Sequence, residues 1–115
     1  MTDILSAAKA HFSAQMNGEL QSIEVPEWQV DGKPLTIYYK PSMNLRAQEK
    51  ILQLDNKGKH GEAIAQTLII RALDKDGKAL FKQIDMIEIM RHIDPNIVGN
   101  IVKAMMGDDL SLIHI

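Results

Sequence analysis

The acidic and histidine side chains of this sequence are its possible metal ligands. The segment Asp74-Lys75-Asp76-Gly77 resembles part of a calcium-binding loop. A loop of the EF-hand type has its first ligand five residues before the central glycine and a bidentate glutamate at its end. Ala72 occupies the first of these positions, and Phe81-Lys82-Gln83 contains no glutamate. The segment is therefore predicted to be a charged turn rather than a calcium site.

The four histidines are spread along the chain instead of being paired. His11, His60, His92 and His114 lie in different predicted elements, and no two have the spacing that places both imidazoles on one helix face. The sequence contains no cysteine, so it has no thiolate ligand, no nucleophilic thiol and no disulfide. We expect the histidines to be solvated or to cap helices, and we expect no metal site.

Sequence patterns of catalytic sites are absent as well. There is no GxSxG nucleophile elbow, no HExxH zinc motif and no phosphate-binding P-loop. Glu24 and Glu27 flank Pro26, but a strand edge offers nothing to bury or pair the two carboxylates. The sequence therefore predicts a protein that is not an enzyme, although scattered catalytic residues would escape such motifs.

The distribution of charge argues against nucleic acid and membrane as partners. The formal net charge is −2, and basic residues in the middle of the chain alternate with acidic ones, which is typical of a mixed, solvated surface. Uninterrupted apolar runs are short, whereas a membrane-spanning helix needs about 20 apolar residues. The N-terminus does not carry the basic and apolar stretches of a signal peptide. We expect a cytoplasmic protein.

Length and periodicity predict a single domain of the α+β class. With 115 residues and 45% hydrophobic content, the chain can close one hydrophobic core but not two. The pattern predicts a mainly helical domain over residues 1–109, with about five helices and one β-hairpin near residues 20–40. Residues 110–115, LSLIHI, form an apolar tail that either docks as a short strand or is foreign to the natural protein, since it resembles translated adaptor sequence.

The first predicted helix has a narrow apolar stripe. Thr2 and Asp3 provide its cap, and it ends at about Met16, before Asn17-Gly18. Because the stripe is rich in alanine, we expect this helix to lie at the edge of the domain or on a partner. The stripe consists of Ile4, Leu5, Ala8, Phe12 and Met16.

Residues 20–40 alternate between apolar and polar types, which predicts two antiparallel strands. Pro26 removes a backbone donor, so the first strand is expected at a sheet edge. Asp31-Gly32 predicts the connecting turn. Trp28 and Tyr38 are large side chains for an edge ribbon. They either anchor a partner or cover the helical core, and the sequence favours neither.

Four further helices are predicted after the hairpin. The second helix is capped by Ser42 or Asn44, and the third, about His60–Leu73, is apolar around much of its circumference, as expected of the central core helix. The fourth covers Gln83–His92, and the fifth follows the Asp94-Pro95 cap. The inner stripes predicted for the second and fourth helices are Leu45, Gln48, Ile51 and Leu52, and Ile84, Ile87, Met90 and Arg91.

Four segments, taken in order, carry a family resemblance. They are Ile23-Glu24-Val25-Pro26-Glu27-Trp28, Ile37-Tyr38-Tyr39-Lys40-Pro41, Arg71-Ala72-Leu73-Asp74-Lys75-Asp76-Gly77-Lys78, and Asp94-Pro95 with Ile101-Val102. Each motif is weak alone, so the order and spacing of the motifs carry the resemblance. In this order they resemble the small tail assembly chaperones of long-tailed bacteriophages and prophages, and the resemblance covers nearly the whole chain up to Met106.

The resemblance implies a chaperone that binds the long helical tape measure protein and helps to recruit tail tube subunits in the host cytoplasm. Such a protein is not an enzyme, needs no cofactor and is absent from the finished tail; self-association is left open. The alternative is a small cytoplasmic regulator or adaptor that binds DNA or a host protein. The residues expected to contact a protein partner are Trp28, Tyr38, Leu45, Ile51, Met86 and Met90.

Overall fold

The computed structural model describes residues 3–106. In this range five α-helices and a two-stranded antiparallel hairpin form the fold, which confirms the predicted mainly helical α+β class. A 3₁₀ turn, Gln83–Asp85, leads directly into the fourth helix. The predicted Thr2 cap, His114, the domain end at residue 109 and the apolar tail 110–115 lie outside the described residues. The elements are α1 (Ile4–Met16), β1 (Gln21–Val30), β2 (Lys33–Tyr39), α2 (Leu45–Asn56), α3 (His60–Arg71), α4 (Met86–His92) and α5 (Pro95–Met106).

Short polar side chains fix the starts of α2 and α5. The side-chain oxygen of Asn44 accepts a hydrogen bond from the Ala47 N–H at 2.8 Å, so Asn44 rather than Ser42 is the cap of α2. Asp94 accepts the Asn96 N–H at 2.9 Å at the start of α5. Both bonds satisfy donors that the first turn of a helix leaves without an intrahelical partner.

β1 and β2 pair with a register that brings their apolar side chains onto one face. Ile23 lies opposite Ile37 and Val25 opposite Leu35, and the register shifts between Val25 and Gln29. Val25 and Ile37 are buried, because this face packs on α5 and the end of α3. The helices therefore provide the cover without which a lone two-stranded ribbon is marginal in water.

Pro26 lies in β1 where its missing N–H would face away from β2. Tyr38 exchanges two backbone hydrogen bonds with Leu73, at 2.9 and 2.8 Å, so its polar groups point away from β1. The backbone groups of Ser22, which lies opposite Tyr38, consequently point to the free edge of β1. Pro26 follows Ser22 at an even spacing and shares this orientation. The predicted edge strand is confirmed, and proline costs it no ladder bond.

α3 is the central helix of the core, as predicted. Seven of its twelve residues are buried. It packs against α2, α4 and α5, while the hairpin closes the core from the side of α5. The buried core comprises Val25, Ile37, Tyr39, Ala65, Leu68, Ile69, Ala72, Ile89, Val98, Ile101, Val102 and Met105.

Arg71 joins the end of α3 to the end of the hairpin. Its guanidinium donates a hydrogen bond to the Lys40 carbonyl at 2.6 Å and lies 5.6 Å from the centre of the Tyr39 ring. The Tyr39 hydroxyl in turn donates to the Ala104 carbonyl of α5 at 3.4 Å. A planar cation over an aromatic face suits this buried position.

The inner stripe predicted for α2 is wrong. Leu45 is 82% exposed and Leu52 is 50% exposed, whereas the half-buried side of the helix carries Ala47, Ile51 and Leu54. Of the predicted stripe, only Ile51 turns toward α3. Residues 47, 51 and 54 also have the spacing of a single helix face. Since α2 therefore has apolar residues on two faces, tertiary packing decides which face is buried.

The inner stripe predicted for α4 is wrong as well. Ile84, Ile87 and Met90 are exposed, and the buried residue of the helix is Ile89. Met86 and Ile93 pack against the core beside it. The tight 3₁₀ turn at Gln83–Asp85 turns by about 120° per residue instead of about 100°, which shifts the phase of the faces that follow.

The predicted charged turn at residues 74–78 is confirmed. The Asp74 carboxylate accepts the backbone N–H groups of Asp76 and Lys78 at 2.8 and 2.9 Å. Gly77 has a φ of 83°, in the left-handed region that favours glycine. The acidic side chain that suggested a cation ligand is thus engaged with the backbone of its own turn.

Candidate binding surface

An apolar groove lies where α3, α4 and the start of α5 meet. Its volume is about 210 Å³, and it opens to solvent. No lining side chain carries a charge or a hydrogen-bonding group, so the groove suits apolar groups only. The lining residues are Gly61, Ile64, Ala65, Ile89, Met90, Ile93, Pro95 and Val98.

Small residues form the α3 side of this groove. Gly61 and Ala65 lie one helical turn apart, and Ile64 stands at the rim with 39% of its surface exposed. A Cβ atom at Gly61 would come within 3.3 Å of the Met90 Cε. The missing side chain therefore lets Met90 of α4 lie close over α3.

The turn between α2 and α3 determines where α3 begins, and therefore where the α3 side of the groove begins. Gly58, with a φ of 80°, follows the end of α2. The His60 Nδ1 contacts the Asp55 carboxylate across the turn, and both side chains are exposed. Lys59 at the N-cap position makes no side-chain capping bond, but its backbone N–H donates to the Leu54 carbonyl at 2.9 Å, so the corner is held by backbone and side-chain contacts together. One of the predicted solvated histidines thus bridges two helices.

A pair of glutamine amides fixes α4 against α3. Gln66 is 2% exposed and exchanges two hydrogen bonds with Gln83, at 2.9 and 3.0 Å. The Asp85 carboxylate accepts the Lys82 N–H at 2.8 Å and closes the 3₁₀ turn. The two interactions fix the segment that leads into α4, so that Ile89 points into the core.

Ile84 and Ile87 extend the apolar surface beyond the groove. They are 82% and 62% exposed. Ile84 lies in the 3₁₀ turn before α4, and Ile87 precedes Met90 by three residues on α4. We use the name α3–α4 surface for the groove together with Ile84 and Ile87. Contiguous exposed apolar residues of this kind mark interaction sites in soluble proteins.

The dimensions of the groove favour a protein partner over a small molecule. Small-molecule sites have volumes of roughly 300–1,000 Å³ and enclose most of the ligand. The present groove is smaller, open and without polar groups that would orient a ligand. An amphipathic helix, which inserts a few apolar side chains at a time, matches such a groove better.

The six predicted contact residues do not form one surface. Met90 lines the groove, whereas Leu45 lies with Leu52 in a separate open hollow on α2. Trp28 is half-buried and packs edge-on against Phe81, with ring centroids 6.5 Å apart and an interplanar angle of 73°. Trp28 covers the core in this arrangement. The remaining half-buried residues are Tyr38, Ile51 and Met86.

Three residues of the α3–α4 surface were not expected there. Ile84 and Ile87 were assigned to the inner side of their helix, and Ile64 belongs to the third helix, which was predicted to form the centre of the core. The signal that could have found them is the number of apolar residues in α4, which exceeds what one buried face can hold. Gly61, directly after the start of α3, is a second signal, since an early glycine allows another helix to approach.

Residues 3–106 contain neither a cluster of metal ligands nor a helix that could span a membrane. No three His, Asp or Glu side chains in this range lie close enough together to hold a metal ion. None of the helices in the same range has the length and hydrophobicity needed to cross a membrane. On α4 the Glu88 carboxylate lies 3.7 Å from the His92 imidazole, one helical turn away. Neither residue lines the groove.

Comparisons with protein families, with curated protein sequences and with solved structures found no match for this chain. The resemblance to tail assembly chaperones therefore rests on the sequence motifs alone.

Proposed function

We propose that this protein is a tail assembly chaperone of a long-tailed bacteriophage or prophage. It binds apolar helix faces of the tape measure protein and helps to recruit tail tube subunits in the host cytoplasm. It works by binding alone, so it catalyses no reaction and needs no cofactor. The order and spacing of the family motifs support the proposal, and the α3–α4 surface is the structural observation that carries it.

The α3–α4 surface has the properties that such a client requires. A tape measure protein is long and helical, and its apolar faces need cover until the tube encloses them. Ile64, Ile87 and Met90 offer side chains to a helix laid along the groove. An open groove of this size gives modest affinity per copy, which allows tube subunits to displace the chaperone, while many copies on one client add avidity.

Co-expression with the tape measure and tail tube proteins of the same gene cluster tests the proposal. A pull-down of the chain is expected to recover the tape measure protein. Ile84→Glu is expected to weaken this recovery at least about tenfold, because a charge in the contact must be desolvated. Leu45→Glu is the matched control, since Leu45 and Ile84 are equally exposed, at 82%.

The possible outcomes distinguish an error in the proposed function from an error in the proposed binding surface. Recovery of neither client contradicts the proposed function. Recovery that is lost with Leu45→Glu but retained with Ile84→Glu keeps the function and moves the client to α2. A complex with DNA that weakens steeply as salt increases would instead support the regulator alternative.

A further inference from the structure

Met90 differs from the other methionines of the described chain in its exposure. It is 45% exposed, whereas Met105 lies in the core with 4% of its surface exposed. Met90 is therefore the methionine of residues 3–106 that a reagent in solution reaches most easily. The other methionines in this range are half-buried: Met16, Met43, Met86 and Met106.

The composition of the chain directs a peroxide toward methionine. The sequence contains no cysteine, so no thiolate reacts in place of a thioether. A lone pair of the methionine sulfur attacks one oxygen of hydrogen peroxide, a sulfur–oxygen bond forms and the oxygen–oxygen bond breaks. The hydrogen of the transferred oxygen moves to the other oxygen, which leaves as water. The sulfur is oxidised by two electrons, the peroxide is reduced by two, and the product is methionine sulfoxide.

We propose that Met90 is the site at which peroxide oxidises the folded protein, and that its sulfoxide weakens the binding of apolar helices to the α3–α4 surface. The effect on binding rests on the proposed function, whereas the site of oxidation does not. Oxidation converts a flexible apolar side chain into a polar one and disrupts contacts that methionine makes.

The end of the Met90 side chain lies in the groove, against α3. A Cβ atom at Gly61 would be 3.3 Å from the Met90 Cε, and the sulfur that is oxidised is bonded directly to this Cε. The new oxygen is thus attached beside the α3 side of the groove. None of the other lining side chains carries a hydrogen-bonding group, so none can replace the water around the sulfoxide oxygen.

The sulfoxide can keep its oxygen hydrated in two ways. Either the side chain of Met90 turns out of the groove, which removes part of the lining, or water enters the groove with the oxygen. In both cases a docked helix loses apolar contact or must desolvate a polar group. The core is spared, because the buried residue of α4 is Ile89. Oxidation therefore changes the binding surface and leaves the fold intact.

Peptide mass spectrometry after a short exposure to hydrogen peroxide tests the site of oxidation. If the rate follows exposure, 45% against 4%, Met90 is expected to be oxidised about tenfold faster than Met105 in the folded chain, and before the four half-buried methionines. In concentrated urea the rates of the methionines should become similar, because the fold no longer protects any of them. Oxidation of another described methionine ahead of Met90 in the folded chain would overturn the proposal.

A pull-down of the tape measure protein tests the effect on binding. The client is added after the peroxide has been removed, so that only the chaperone is oxidised. The oxidised chain is expected to recover about tenfold less client than the untreated chain. Treatment with the two methionine sulfoxide reductases, one for each epimer of the sulfoxide, should restore the recovery.

Two leucine variants show whether Met90 is responsible. Met90→Leu keeps the volume and the apolar character of the side chain, so it should recover the client with or without peroxide. Met86→Leu, on the same helix, is the matched control and should remain sensitive to peroxide. Met90→Gln places a polar group of similar length in the groove and should weaken recovery without any oxidant. Circular dichroism checks that each variant is folded.

The outcomes distinguish the proposed function from the effect of the sulfoxide. An untreated chain that recovers no client contradicts the proposed function and overturns the effect on binding with it, while mass spectrometry still decides the site of oxidation. An oxidised chain that recovers as much client as the untreated one keeps the function and overturns the effect of the sulfoxide. Loss of recovery in oxidised Met90→Leu would assign the effect to another methionine.

Discussion

At Gln66 a polar side chain is buried in the middle of α3, the central helix of the core. Its amide is only 2% exposed, and the bonds to Gln83 satisfy both its donor and its acceptor. Gln83 itself lies at the surface, so it acts as the polar cover of a buried amide. A buried amide without partners would destabilise the fold, which explains why a short 3₁₀ turn is placed at this point.

A double-mutant cycle on this pair is the first prediction. Gln83→Ala is expected to lower the free energy of unfolding by about 1–2 kcal/mol, because it removes both hydrogen bonds of the Gln66 amide. Together with Gln66→Ala, it should give a coupling energy of about 1 kcal/mol in urea unfolding. Gln53→Ala is the control, since this exposed glutamine should change stability by less than about 0.5 kcal/mol. A coupling energy near zero would mean that the two amides act independently.

Replacement of two glycines by alanine is expected to change stability in opposite directions, because their backbone conformations differ. Gly32 has a φ of 78° in the hairpin turn, whereas Gly99 lies inside α5 with open space around the position of its Cβ. Gly32→Ala is expected to destabilise the protein by about 1–2 kcal/mol, the cost of a side chain in the left-handed region. Gly99→Ala is expected to stabilise it by about 0.5–1 kcal/mol, since alanine favours helix.

Thermal and urea unfolding of the two alanine variants give the comparison directly. The substitutions are chemically identical, and neither new Cβ would meet another atom within 4 Å, so a difference in sign is expected from the local backbone. Stabilisation by Gly32→Ala would contradict the positive φ of the turn. Destabilisation by Gly99→Ala would contradict the open space beside α5.

At the scale of elements, α4 illustrates what periodicity can and cannot determine. The sequence predicted a helix up to His92, and the helix is present, but its buried face differs from the predicted one. Apolar residues occur on several sides of α4, so two stripes of similar hydrophobicity compete. The 3₁₀ turn and the Gln66–Gln83 contact choose between them, and both depend on packing against α3.

The contrast between Ile89 and Ile87 makes this correction testable. Ile89→Ala is expected to cost about 2–5 kcal/mol of unfolding free energy, because it leaves a cavity in the core. Ile87→Ala is expected to change stability by less than about 0.5 kcal/mol, since that side chain is already exposed. Urea unfolding of both variants decides between the two faces, and the reverse order would restore the stripe first predicted.

Local signals were sufficient for the other elements. The Asp31-Gly32 turn, the cap at Asp94 and the apolar circumference of α3 each depend on neighbours within a few residues, and the structure has all three. The groove depends instead on residues 61–65, 89–93 and 95–98 coming together. No local pattern encodes the angle at which three helices meet, so the site was not predictable even where its helices were.

At the scale of the whole molecule, the described chain divides into a closed core and an added helix. The core is shared by the hairpin, α3, α4 and α5, and α1 contributes no buried residue to it. A variant lacking residues 1–17 is therefore expected to keep the fold of the remainder. Its circular dichroism should lose only the signal of one helix, and its loss of unfolding free energy at high dilution should be less than about 1 kcal/mol.

Thermal unfolding of the truncated variant and of the full chain measures how much α1 contributes to the fold. A loss of about 1 kcal/mol shifts the melting temperature of a domain of this size by about 4–8 °C. Because α1 adds no buried residue to the core, the truncated variant should therefore melt less than about 8 °C below the full chain. A truncated chain that fails to fold would show instead that α1 supports its own core, against the exposure of Ile4 and Leu5.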